Sequence, residues 1–129
     1  MMSRPRWIPL LALGVLSAAL LPAAGTATAG KVINAKSTVT ISSGAGAVFT
    51  GTVSSSQKRC KADRSVKLFY EVGGKDKVID ITKTNSSGNW GMHGRFAAGM
   101  YHAQVGGTTI HTPRVDIHCL GDVSISARF

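Results

Sequence analysis

The sequence predicts an all-β protein, a small two-sheet β-sandwich of seven or eight short strands, and three observations predict it. From Gly30 onward the chain holds 10 Val and 7 Ile but only 2 Leu and a single Glu, with 20 Ser and Thr and 13 Gly. β-Branched residues pack well on a pleated surface and lose rotamer freedom in a helix, so no window has the composition of a stable helix. Apolar residues recur with period two, the pattern of a half-buried strand. Glycine-bearing turn signals then interrupt these runs at short intervals. A five-stranded barrel of the OB type is the alternative architecture.

In chain order, strands are expected near residues 37–42, 48–54, 65–71, 78–84, 90–96, 100–106, 114–119 and 122–128. Phe49, Gly51 and Val53 alternate with Thr50, Thr52 and Ser54; Val66, Leu68 and Tyr70 alternate with Lys67, Phe69 and Glu71. Tyr101, Ala103 and Val105 alternate with His102 and Gln104, and Val123, Ile125 and Ala127 with Ser124, Ser126 and Arg128. The turns between them are Ser43-Gly44-Ala45-Gly46, Gly73-Gly74-Lys75-Asp76, Ser86-Ser87-Gly88-Asn89, Ala98-Gly99 and Gly106-Gly107. Residues 30–36 read as a flexible N-terminal stretch, and residues 37–129 as one β-sandwich domain.

Residues 1–29 have the layout of a secretory signal peptide. Arg4 and Arg6 precede an apolar run from Ile8 to Leu21, and small residues end in Ala27-Thr28-Ala29, an A-x-A cleavage site. The apolar run is about 14 residues, broken by Gly14 and Ser17, whereas a hydrocarbon core needs about 20. Cleavage is therefore expected rather than a membrane anchor, and neither a lipoprotein cysteine nor adjacent twin arginines follow the expected pattern. The mature protein is read as secreted, with association at the cell envelope as an option and no stable membrane span. In an exported chain the two cysteines, Cys60 and Cys119, read as one disulfide. Closing a loop of about 59 residues is worth on the order of 4 kcal/mol by the chain-entropy argument.

The whole chain carries 15 Lys and Arg against 6 Asp and Glu, a formal charge of +9. Without the leader arginines the remainder keeps +7, which fits an anionic partner or simple solubility. The size excludes a doubly wound nucleotide-binding enzyme or a TIM barrel.

The order Phe49-x-Gly51-x-Val53, Val66-x-Leu68, Thr84-x-x-x-Gly88-x-Trp90 and Gly99-x-Tyr101-x-x-x-Val105 resembles the carboxypeptidase-regulatory-like, prealbumin-like (transthyretin-like) modules of exported bacterial proteins. The likeness spans roughly residues 47–106. It implies a prealbumin- or Ig-like sandwich with a binding or structural role, and it implies no catalytic residues. The family often has Pro and Gly-Ala before its second core strand, where this chain has Cys60-Lys61-Ala62-Asp63-Arg64-Ser65. Nor does a peptidase or transporter accompany the module for it to assist.

Tested for chemistry, the four histidines His93, His102, His111 and His118 show no H-x-H or H-x-x-x-H spacing, so no metal ligand set or cofactor is expected and the side chains read as solvent-facing. Serines with Asp80, Asp116 or Asp122 could make a triad on paper, but no G-x-S-x-G elbow is present. Gly44-Ala45-Gly46-Ala47-Val48-Phe49 lacks the third glycine of a dinucleotide loop. Asn85-Ser86-Ser87 is a formal glycosylation sequon. The cluster Lys58, Arg59, Lys61 and Arg64 is the candidate anion-binding patch, suited to an anionic wall polymer, glycan or protein, with a solvated basic surface as the plain alternative. Nucleic acid is not the expected partner, because Trp90 and Tyr101 occupy core-type positions rather than a stacking platform. The reading is a non-catalytic, monomeric, exported binding or structural module. A small secreted hydrolase using one histidine, and a secreted inhibitor or toxin-like protein, are the alternatives.

Overall fold

The computed structural model describes residues 30–45 and 48–129. The signal-peptide reading falls on residues 1–29 and lies outside the described residues. The chain is all-β, with twelve described strands and one 3-10 turn. The strands are β1 (Lys31–Ala35), β2 (Ser37–Val39), β3 (Ser42–Gly44), β4 (Val48–Ser55), β5 (Ser65–Val72), β6 (Lys75–Lys83), β7 (Asn89–His93), β8 (Met100–Val105), β9 (Thr108–His111), β10 (Val115–Cys119), β11 (Asp122–Val123) and β12 (Ala127–Arg128). The 3-10 turn covers Lys58–Cys60.

Two sheets face each other. One runs β6-β5-β8-β11, with β12 also on β8; in the other, β4 pairs with β7 and, successively, with β2 and β3. Their inner faces share one core. Val39, Phe49, Val53, Trp90 and Met92 come from the β4 sheet, and Val66, Leu68, Tyr101, Ala103 and Val105 from the β5 sheet. This is the alternation of apolar residues on both inner faces that makes a sandwich. Phe49 sits at its centre, with ring centroids 4.7 Å from Tyr101, 4.8 Å from Phe96 and 5.2 Å from Phe129. Gly51 lets the Trp90 ring lie on the backbone: a Cβ there would fall 2.6 Å from the indole and 2.0 Å from the Thr40 carbonyl.

Strands outnumber the seven or eight expected because long runs bend. β8 continues into β9 through Gly106-Gly107, and β10 into β11 through Leu120-Gly121. The two bends cross each other closely; a Cβ on Gly121 would stand 2.9 Å from the Val105 carbonyl oxygen and 3.2 Å from the Gly107 nitrogen. Beyond the bends the chain forms a third sheet, β1-β10-β9. Residues 30–36 are thus not a flexible stretch. β1 pairs in parallel with β10 from Lys31↔Val115 to Ala35↔Cys119, so backbone pairing orders a segment whose side chains carry little strand signal.

One expected face is reversed. Val123 and Ile125 were placed inward by their alternation, yet they are 54 % and 82 % exposed. Their polar neighbours face the protein instead: Asp122 accepts a bond from the Val39 amide at 2.9 Å, and Ser124 Oγ accepts one from the Ala103 amide at 2.8 Å. Backbone donors within β8 and in β2 need acceptors, and these two side chains supply them.

Candidate functional site

The disulfide joins Cys60 of the 3-10 turn to Cys119 at the end of β10, with Cα atoms 5.4 Å apart. It pins the 57–64 loop against the inner face of the end sheet. Ala35, Cys60, Ile117 and Cys119 are buried there, with Ile110 and Val115 packed at the margin.

The four cations expected to form one patch have three different fates. Lys58 and Arg59 are exposed on the 3-10 turn. Lys61 is half-buried and, with Lys58, borders a separate hollow of about 390 Å³ rimmed by Ser55, Ser56, Ser86 and Ser87. Arg64 is not at the surface at all, being 2 % exposed. Its Nη1 donates to Ser37 Oγ at 2.9 Å and to the Cys60 carbonyl at 2.7 Å. Its Nη2 donates to the carbonyls of Gly106 at 2.7 Å and Leu120 at 3.1 Å. Burial lowers its pKa from the ordinary arginine value. The guanidinium therefore ties β2, the disulfide loop and both strand bends together, and it belongs to the architecture rather than to an anion-binding surface. Its backbone is held too: the amide donates to Thr84 Oγ1 at 2.8 Å, and that hydroxyl donates to the Lys61 carbonyl at 2.6 Å.

Arg114 takes the place Arg64 vacates. The turn from β9 to β10 is closed by Thr112, whose amide donates to the Val115 carbonyl at 3.0 Å while Val115 N–H donates back to Thr112 Oγ1 at 3.0 Å. This presents Arg114 across from the 3-10 turn. Between them runs a groove of about 570 Å³, with Lys58 and Arg59 on one wall and Pro113, Arg114, Val115 and Ile117 on the other. Ile117 is buried and Val115 half-buried, so the floor is apolar while the rim is cationic. Among the described residues no carboxylate lies within ion-pair distance of Lys58, Arg59 or Arg114. Sequence reasoning missed Arg114 because it lies far from the 58–64 cluster along the chain and stands alone in its turn.

A second constellation lies on the outer face of the β5 sheet. His102 is not solvent-facing, its side chain being 11 % exposed. Its ring stacks on Phe69, its cross-strand partner, with centroids 4.9 Å apart and planes 9° from parallel. Nδ1 lies 3.0 Å from Glu71 Oε1 and Nε2 3.7 Å from Asp76 Oδ2. Ser126 Oγ donates to the same Glu71 oxygen. These hydrogen bonds, the Ser126 one foremost and the His102 one next, hold the Glu71 carboxyl below its ordinary value. Ligand atoms of Glu71, Asp76 and His102 all lie within 4.8 Å of one another. Each ring nitrogen already faces a carboxylate, however, so a cation could take one nitrogen and Asp76 directly, with Glu71 behind. The serine bonds to the glutamate and not to the imidazole, so the nucleophile-to-base bond of a hydrolase is not formed here. Of the other histidines, His118 sits on β10 between Asn34 and Thr109, in a different sheet from His102. His111 is exposed and pairs with Asp116 at 3.0 Å.

The family-resembling positions have physical work in this fold. Gly88, at φ 87°, turns the chain toward β7, and its carbonyl accepts from the Val53 amide at 2.7 Å. Tyr101 donates its hydroxyl to the Ala97 carbonyl at 2.5 Å, and burial raises its pKa. No helix among the described residues is long and apolar enough to cross a membrane. No family model, curated protein or solved structure matches this chain.

Proposed function

We propose that the protein is a non-catalytic, exported binding module, a β-sandwich of the prealbumin-like kind, that holds an anionic partner at the cell envelope or outside the cell. The observation that carries this reading is the groove between the 3-10 turn and the β9–β10 turn. Three cations, Lys58, Arg59 and Arg114, surround a concavity with no carboxylate to neutralise them among the described residues. Such a one-signed rim concentrates anions and speeds their capture. A disulfide in a chain of this size suits an oxidising compartment. The non-catalytic part of the reading draws support from the outer-face cluster, where serine, glutamate and histidine are close but wired in the wrong order for acyl transfer.

The test is elution of the oxidised protein from heparin and from a purified cell-wall fraction across a salt gradient. Retention is expected to fall steeply with salt and to be lost in the Lys58→Ala/Arg59→Ala/Arg114→Ala variant. Unchanged retention in that variant, or flow-through of the wild type at physiological salt, sinks the reading.

A further inference from the structure

The rim alone would suit any polyanion, but the floor of the groove narrows the choice. A linear sulfated or phosphorylated polymer needs a charged stripe; it gains nothing from an apolar trough. Here the inner face of the end sheet is sealed toward its disulfide end, where Ala35, Cys60 and Cys119 are buried and Ile117, 5 % exposed, marks the edge of the covered part. Toward the β9–β10 turn the same face continues as Ile117, Val115 and Pro113, and the groove opens over them. The cations above are on long aliphatic stems, which can line apolar surface while the charged ends stay in water. At about 570 Å³ the space falls within the range of small-molecule sites.

Resting on the binding-module reading above, we infer that the groove takes a free single-chain anionic amphiphile of the fatty-acid type. Its carboxylate sits between the cationic walls, where the Arg59 and Arg114 guanidinium groups offer paired donors. Its alkyl chain lies on Pro113, Val115 and Ile117. Charge complementarity selects the head and the apolar floor selects the tail; neither feature alone accounts for the other.

The experiment is a titration of the oxidised full chain, followed by amide and methyl NMR shifts, with acetate, octanoate and decanoate below their micellar concentrations, decanol, a heparin-derived oligosaccharide, and phosphatidylglycerol vesicles. Affinity is expected to rise about fourfold per methylene from octanoate to decanoate, with shifts centred on Val115 and Ile117. Arg59→Gln/Arg114→Gln is expected to weaken decanoate tenfold or more and to leave decanol unchanged. Val115→Thr, which keeps the shape, is expected to weaken decanoate several-fold while acetate is unaffected. Decanoate binding no tighter than acetate, beside normal oligosaccharide binding, overturns the amphiphile and leaves the polyanion module standing. Decanol binding as tightly as decanoate overturns the role of the head, and vesicle binding without a decanoate response assigns the face to a membrane surface instead. If nothing binds, this inference and the module reading fall together.

Discussion

The sandwich and the end sheet are held by different means. In the sandwich ten buried apolar residues from two sheets, Phe49 among them, form one core, and aromatic rings pack at centroid distances near 5 Å. In the end sheet three residues, Ala35, Ile117 and Cys119, are buried, together with Cys60 of the 3-10 turn, and two of these four are the disulfide cysteines. Three short strands cannot bury enough surface to be ordered by the hydrophobic effect alone. A covalent cross-link and a buried guanidinium do the rest, the first fixing the loop to β10 and the second fixing both bends to β2. Apolar density thus marks the part held by its own core, whereas the thinner end sheet needs fastening.

Experiments can break that contrast or sharpen it. The largest effect is expected from Phe49→Ala, at about 3–5 kcal/mol for a fully buried aromatic, seen as a shifted urea midpoint with Trp90 fluorescence as probe. Both regions should be lost in one transition, since the end sheet's own cluster is small and two of its four buried residues are the disulfide cysteines. Reducing the disulfide is expected to cost about 2–4 kcal/mol, but unevenly. Hydrogen exchange should quicken in β1, β9 and β10 well before β4 and β5, and equal loss in all five strands would erase the distinction drawn here. Arg64→Met comes next, at about 1–3 kcal/mol for orphaned carbonyls and lost charged bonds. Its exchange signature should centre on Gly106 and Leu120, while heparin retention stays as in the wild type.

A smaller effect concerns the outer face. Because Glu71 is held below its ordinary carboxyl value of 4.5, it adds stability that is present above that value and is lost as pH falls through its folded-state pKa. Wild-type melting temperature should therefore drop faster below pH 4.5 than that of Glu71→Gln, and parallel curves would dismiss the contribution. Ile125→Asn, at a side chain left 82 % exposed, is expected to change stability by less than about 0.5 kcal/mol. A larger loss would show that this residue is covered in solution.

Much of the sandwich was legible in the sequence because its strands are buried on one face, and period two reports just that. Residues 48–54, 65–71 and 100–106 were placed almost to the residue. β1 and β9 were not, since each is short, carries exposed residues on both faces and is ordered by backbone pairing, which leaves no mark on side-chain type. The disulfide pairing followed from there being two cysteines in the chain. The candidate site was half legible: Lys58 and Arg59 stand out as neighbours, whereas Arg114 comes to them only through the fold. Arg64 could have been assigned correctly, for it shares the inward parity of Val66, Leu68 and Tyr70 along β5. Its charge argues for the surface against that parity, and the converging carbonyls that make a buried arginine tolerable exist only once the chain is folded. His102 was misjudged for a kindred reason, because its shelter comes from a cross-strand ring and two carboxylates on other strands.

The parallel pairing of β1 with β10 also sets a timetable. β1 is the first strand of the domain along the chain, and its partner lies close to the opposite terminus. In a chain made from its N-terminus onward, β1 emerges early and has nothing to pair with until residues 115–119 follow. Cys60 waits in the same way for Cys119. Contacts of such long sequence separation form late, so β1 stays unpaired until the last strands have been made. Closure of the groove between the disulfide-pinned 3-10 turn and the β9–β10 turn then comes among the last events of folding, and a chain cut short before Cys119 has no such groove to present.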